Sequence, residues 1–396
     1  MKRLIKKSHF DNVPAIRFLL FFLIFLSHSI VTFSQDLQVS VLYRDLKQFT
    51  SNFEQVAYSM IFILTGFLNT WSIFEERFIY KRVNMLRYGM RRAISYLPLF
   101  VIALILGAFI MPMILYPKIA QPILADGYFV PFFLMLNNYF HVSTSNPYLM
   151  VTENLWSVAV CMQFVIVWPA FMNFFRRRET YLFGLMIFIF LIFNFLFPEV
   201  PAKKYYIFYY LPEFAVGAYL GYISFFKYPS YEKIKSHTRR TVSFTYLFFF
   251  LYFLFRTQIH NKLEIVPQSI ILAAEKIAIA LTLGYFLFEQ NFNSKSLLKA
   301  AKIKILHFSG KLSYSMFIYF PVSILISFIL SDFFFDKESN YIILLFRPLA
   351  SLLITIVISA LSFEFIEKKF VRLRKNYQPT REYNPSGIQD VAPKNT

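Results

Sequence analysis

Ten apolar stretches, each long enough to cross a bilayer, follow one another along this 396-residue chain and leave few options for its fold. They cover residues 15–33, 55–74, 96–116, 155–175, 181–197, 205–226, 241–255, 270–288, 314–330 and 341–366. A hydrocarbon core about 30 Å thick takes roughly 20 apolar residues in a helix. Inside lipid a backbone group has no water to bond, so spans of this length have to be helical. The composition agrees, with 57% hydrophobic residues and a mean hydropathy of +0.50. The expected fold is all-α, a polytopic transmembrane bundle of about ten helices formed by residues 1–375. Residues 376–396 are polar, carry Pro379, Pro385 and Pro393, and read as a disordered tail. A polar side chain inside a span is costly, so each one raises a question about function.

The formal charge of +19 would suit a nucleic-acid binder, but the placement of the basic residues points to topology. Ten spans put both termini on one side. Thirty lysines and arginines fall on that side and eight in the opposite loops, leaving Arg17, Lys276 and Arg347 within spans or at their ends. Such a split places both termini in the cytoplasm. Topology and attraction to anionic lipid account for the basic excess, so the bilayer is the expected partner and nucleic acid is not. Cys161 is the one cysteine and lies in a span, so neither a disulfide nor a cysteine metal cluster is expected. The basic start, 1–12, precedes an apolar run too long for a signal peptide and lacking a small-residue cleavage site; it reads as a retained first span. The longest far-side loop, 117–154, contains an apolar piece at 128–139, expected to be re-entrant or interfacial.

His28 lies 13 residues into the first span, about 20 Å deep at 1.5 Å per residue. Arg17 precedes it by 11 residues, within about 20° of three helical turns, so the two share a face. A neutral imidazole can take a proton from a hydroxyl and return it. The same residues also fit a snorkelling arginine and a helix-contact histidine, and composition does not choose between these readings. Before the third span come Arg87, Arg91 and Arg92, a phosphate site by the chemistry of guanidinium or simply an orientation signal. In 154–169, Trp156 is expected at the far interface, and Ser157 and Gln163 can face the bundle or join helices. Glu213, and Glu275 beside Lys276, read as paired charges.

Taken in order, these segments resemble the acyltransferase 3 family of integral membrane acyltransferases, over about residues 13–374. Arg17, ten residues and His28 match the family's Arg-x10-His signature. Residues 61–68 (IFILTGFL) resemble FF-x-x-SGFL, Arg92 to Pro98 the arginine-rich approach to the third span, and Trp156-Ser157 to Phe164 WSL-x-x-E-x-QF. Glu213-Phe214 with Gly217 fits EF-x-x-G, Ser313-Tyr314-Ser315 fits SYS-x-YL, and residues 367–370 (EKKF) resemble E-x-PF. The wording around Cys161 also resembles the nose-resistant-to-fluoxetine branch. Four family positions differ: an acid falls at Pro14, a second arginine at Ser95, an acid at Cys161 and a histidine at Phe320.

The resemblance implies O-acyl transfer, most simply of acetyl, from cytoplasmic acyl-CoA to a carbohydrate or glycolipid hydroxyl across the membrane. His28 would be the general base. Arg17, Arg91 and Arg92 would hold the donor's phosphates, with Trp156, Ser157 and Tyr314 as further substrate-binding residues. The donor is a substrate; no bound cofactor or metal is implied. The implied location is a multi-pass protein of the plasma or inner membrane. The four replacements leave a second reading open, a non-catalytic relative acting as partner subunit or transporter.

Overall fold

The computed structural model describes residues 10–32, 34–110, 134–140, 152, 154–198, 201–262, 267–296, 299–335 and 338–377. Among the described residues ten long helices overlap the ten apolar stretches, residues 111–116 of the third stretch lying outside them: α1 (Asn12–Ser29), α2 (Val41–Tyr80), α3 (Met85–Leu104), α4 (Leu155–Phe174), α5 (Glu179–Leu196), α6 (Leu211–Phe226), α7 (Arg239–Lys262), α8 (Gln268–Phe292), α9 (Ser313–Phe334) and α10 (Arg347–Ser362). No strand occurs among the described residues. The chain is an all-α polytopic bundle. Eight of these helices, all but α6 and α7, are long and apolar enough to cross a membrane, α3 and α10 with the turns that continue them. α6 has 16 residues and is preceded by 3-10 turns at Pro201–Tyr205 and Ile207–Tyr210. α7 has 24, its apolar middle held between Arg239, Arg240 and Arg256. α2, with 40 residues, is about 60 Å long and overruns any hydrocarbon core. Of the apolar piece expected at 128–139, only 134–139 is described; Asn137–Phe140 forms a helical turn, tied to α4 where Gln163 donates to Asn138 Oδ1 (2.8 Å) and Met135 O (2.7 Å). The rest of that piece, and the tail beyond 377, lie outside the described residues.

In lipid there is no hydrophobic force between apolar helices, so close packing has to come from small residues. α2 and α6 form the most extensive helix pair, and Gly217 with Gly221 gives α6 a Gly-x-x-x-Gly face. A Cβ at Gly217 would stand 2.0 Å from Ile63 O, and one at Gly66 2.5 Å from Phe214 O, so the two backbones touch here. α9 and α10 use serine and threonine instead. Ser323, Ser327 and Ser331 on one helix and Ser351, Thr355 and Ser359 on the other are all buried, four residues apart. Hydroxyls along this seam bond carbonyls of their own helix, as in Ser323 to Tyr319 O (3.1 Å) and Thr355 to Ser351 O (2.7 Å).

Contacts sort the connecting segments into two groups, as the charge split requires. On the N-terminal side, Asn12 Nδ2 donates to Gln290 O (2.6 Å), Ala301 N to Asn12 Oδ1 (2.9 Å), and Arg91 to Tyr377 O (3.3 Å). On the far side, Lys47 donates to Ile30 O (3.2 Å), Arg256 to Asn52 Oδ1 (3.3 Å), and Arg347 to Glu338 Oε1 (2.5 Å).

Two alanine substitutions test the packing with opposite signs. Gly217→Ala drives a methyl into the α2 backbone and is expected to destabilise by about 1–3 kcal/mol. Gly184 on α5 has nothing within 4 Å of its would-be Cβ, so Gly184→Ala is expected to be neutral or to stabilise by up to about 1 kcal/mol. Thermal unfolding of purified protein in detergent reads both.

Candidate functional site

Two polar regions lie at opposite ends of α1. At the N-terminal side Arg17 is exposed on α1, while Arg91 and Arg92 come from the first turns of α3. Arg374, from the helix Lys368–Lys375, joins them, within electrostatic reach of Arg17, Arg91 and Arg92. Its Nη1 donates to Ser95 Oγ (3.3 Å). The four guanidiniums are not equivalent. Arg91 is buried and spent: it pairs with Glu76 at 3.1 Å and donates to Ser72 Oγ (3.2 Å) and Tyr377 O. Arg17, Arg92 and Arg374 have no carboxylate within 4.0 Å among the described residues, and Nε of both Arg92 and Arg374 is buried without a hydrogen-bond partner. Three unbalanced guanidiniums together form a site for a polyanion.

At the far end, His28 opens onto a cavity of about 730 Å³. Nδ1 lies 3.1 Å from Ile24 O. A carbonyl only accepts, so this contact is a hydrogen bond in the tautomer that carries its proton on Nδ1, and in that tautomer the Nε2 lone pair is free to take one. Trp156 lines the same cavity, but buried (7% exposed) rather than at the lipid interface expected for it. Tyr58, Tyr205 and Tyr210 pack around its ring at 4.8, 5.3 and 5.9 Å, and covering by these side chains is what removes it from lipid. The cavity also holds charge. Arg256 grips Glu275 through Nε (2.6 Å) and Nη2 (3.2 Å); Lys276 pairs with Glu213 (2.6 Å) and lies over the rings of Tyr209 and Tyr210. Glu213 and Glu275 are therefore paired, as expected. Aromatic rings share the lining with many charged and polar side chains, so the cavity suits a polar small molecule.

Between the two ends lie buried phenylalanines. Phe320 stacks edge-on against His28 (5.4 Å) and against Phe21 and Phe25 (both 6.2 Å), all three phenylalanines being buried. Neither Arg17 nor Arg92 lines the His28 cavity. Tyr314 sits on the arginine side of this floor, donating to Tyr96 O (2.9 Å). Ser157 lines no part of the cavity and donates to Asn154 O (3.0 Å). Asn154 has a larger task. Pro321 has no N–H, which frees the carbonyl of Phe317 four residues before it, and Asn154 Nδ2 donates to that oxygen (3.2 Å). The start of α4 is thus tied to the stretch of α9 that carries Phe320.

The acyltransferase domain profile matches residues 11–364, nearly the whole chain. This chain belongs to the acyltransferase 3 family. No curated protein and no solved structure shows significant similarity to it. For this family member the implied chemistry is acyl transfer, and the chain is a multi-pass membrane acyltransferase. The structure brings Arg17, Arg91 and Arg92 together and puts His28 with Trp156, but separates the two groups by the phenylalanine floor. Sequence reasoning missed Arg374 and Asn154; the orphan carbonyl before Pro321 was the available signal for the second.

The acyltransferase's Glu76–Arg91 pair is nearly inaccessible (1% and 8% exposed), so removing one partner strands a buried charge. Glu76→Ala and Arg91→Ala are each expected to destabilise by about 3–5 kcal/mol, and the double variant by less than the sum. Arg17→Ala, on an exposed side chain, is expected to fall within about 0.5 kcal/mol of wild type. Unfolding transitions in detergent check the set.

Proposed function

We propose that this acyltransferase moves an acyl group, acetyl in its simplest form, from cytoplasmic acyl-CoA to a carbohydrate or glycolipid hydroxyl beyond a plasma or inner membrane. The observation that carries this reading is the placement of His28: on one helix with Arg17, about 16 Å further along it, with Nδ1 beside Ile24 O and the side chain lining a far-side cavity. The donor's phosphates bind Arg17, Arg92 and Arg374, with Arg91 holding the α3 start in place through Glu76. The acceptor enters the far-side cavity between Trp156 and the tyrosines. His28 removes the acceptor's proton as its oxygen attacks the thioester carbonyl. The phenylalanine floor keeps water from the thioester, and the donor's flexible arm has to part Phe320 from Phe21 and Phe25 to reach His28.

Acyl-ester analysis of surface glycans in cells with and without the chain tests the reaction. The chain is expected to add an ester that His28→Gln lowers by roughly 10²–10⁴-fold at equal expression, since glutamine keeps hydrogen bonding but shuttles no proton. Normal acylation by the glutamine form would return His28 to a structural role and favour the non-catalytic reading. For the donor, titration calorimetry in detergent is expected to show CoA affinity falling with added salt and lost when Arg17, Arg92 and Arg374 all become alanine. Unchanged affinity in that variant would remove the phosphate assignment.

A further inference from the structure

No acidic residue lies on α1 itself, which raises the question of what steadies His28 when it becomes charged. The wall of its own cavity supplies a candidate. Glu54, on the far-side turns of α2, places Oε1 3.8 Å from His28 Nδ1, and both side chains are 22% exposed. Its other oxygen accepts from Ser27 Oγ at 2.5 Å, which fixes the carboxylate beside α1.

What distinguishes Glu54 is the company it lacks. The cavity has two glutamates in its lining, Glu54 and Glu275. Glu275 is taken by Arg256 on two bonds and by Tyr252 (2.5 Å). Nearby Glu213, just outside the lining, is taken by Lys276. Lys47, the basic residue one helical repeat before Glu54 on α2, instead donates to the end carbonyls of α1, Ser27 O (2.5 Å) and Ile30 O. No lysine or arginine lies within 4.0 Å of Glu54 among the described residues. With a serine on one oxygen and the imidazole beside the other, Glu54 has His28 as its one basic side chain within 4.0 Å among the described residues.

We propose that Glu54 is the positioning acid of the transfer reaction, its carboxylate placed beside the Nδ1 edge of His28 so that it stabilises the imidazolium formed as the acceptor hydroxyl is deprotonated at Nε2. This rests on the acyl-transfer reading of the site. The acceptor's proton moves to Nε2, its oxygen bonds the acyl carbon, the carbon–sulfur bond breaks, and the CoA thiolate leaves with the proton returned by His28. Glu54 neither gains nor loses a proton. Its charge matters only while His28 carries two N–H groups, so its effect belongs to the transition state and not to donor binding.

The test is steady-state acyl transfer from acetyl-CoA by the full chain in vesicles, comparing wild type, Glu54→Gln, Glu54→Asp, His28→Gln and the Glu54→Gln/His28→Gln double variant. Glu54→Gln is expected to lower kcat by about tenfold or more with KM for acetyl-CoA unchanged, and Glu54→Asp to recover part of that loss. The double variant is expected to be no slower than His28→Gln alone, because both residues act as one unit. Wild-type kcat in Glu54→Gln alongside a dead His28→Gln would overturn this inference and leave the acyl-transfer reading standing. An equal multiplicative loss in the double variant would also overturn it, showing that Glu54 acts elsewhere. A wild-type chain with no transfer at all would remove the reading and this inference with it.

Discussion

A charge that enters hydrocarbon has to find its partner inside the protein, and this bundle is arranged around that demand. Arg77 meets Glu179, Arg91 meets Glu76, Arg256 meets Glu275, Lys276 meets Glu213 and Arg347 meets Glu338. Each pair joins two helices or a helix and its connection, so charge pairing also sets which elements are neighbours. Against this background the exceptions become informative. Among the described residues Arg17, Arg92 and Arg374 gather with no carboxylate within 4.0 Å, and Glu54 sits beside an imidazole with no lysine or arginine within that distance. These two exceptions have opposite sign and lie on opposite sides, and both are on or against α1. Glu289 departs from the pattern differently: buried in α8, it has neutral side-chain partners, Tyr246 and Gln290, and one oxygen with none.

Much of this fold could be read directly because bilayer thickness turns sequence into length. An apolar run of about 20 residues has one use in such a chain, and each of the ten became a helix. The pairing of Arg17 with His28 was legible for a related reason: the 11-residue spacing is a property of one helix and needs no tertiary information. Arg91 was misleading for the reason that Arg17 was not. Its sequence context, a run of arginines entering a span, is the same whether or not a carboxylate waits opposite, and Glu76 is brought there by the turn at Lys81, which has a left-handed φ of 60°. Arg374 lies beyond the last apolar run, where a basic residue ordinarily reads as a topology signal, so its arrival beside Arg17 depends wholly on how α10 crosses the bundle. Glu54 was hidden by a boundary. The expected second span starts at residue 55, and only the 40-residue length of α2 shows that the helix continues past it to present Glu54 to His28.

The phenylalanines between the two ends follow from the same physics as the charges there. On the acyl-transfer reading proposed above, an open channel between the arginine cluster and the His28 cavity would let water and ions follow the path of the acyl chain. Phe21, Phe25 and Phe320 pack together between the two ends, with rings that can rotate apart without breaking a hydrogen bond. A polar side chain at position 320 would add a group requiring a partner at the point of closest approach to His28, whereas phenylalanine gives an apolar edge contact. The backbone at this point is less free. Pro321 lies in α9 next to Phe320, and Asn154 satisfies the carbonyl that the proline leaves without its helical donor, so one amide beside α4 anchors the backbone here while the rings are left to packing. A backbone fixed by hydrogen bonding, with aromatic side chains held only by packing, is what the proposed passage of a flexible substrate arm would need at this level.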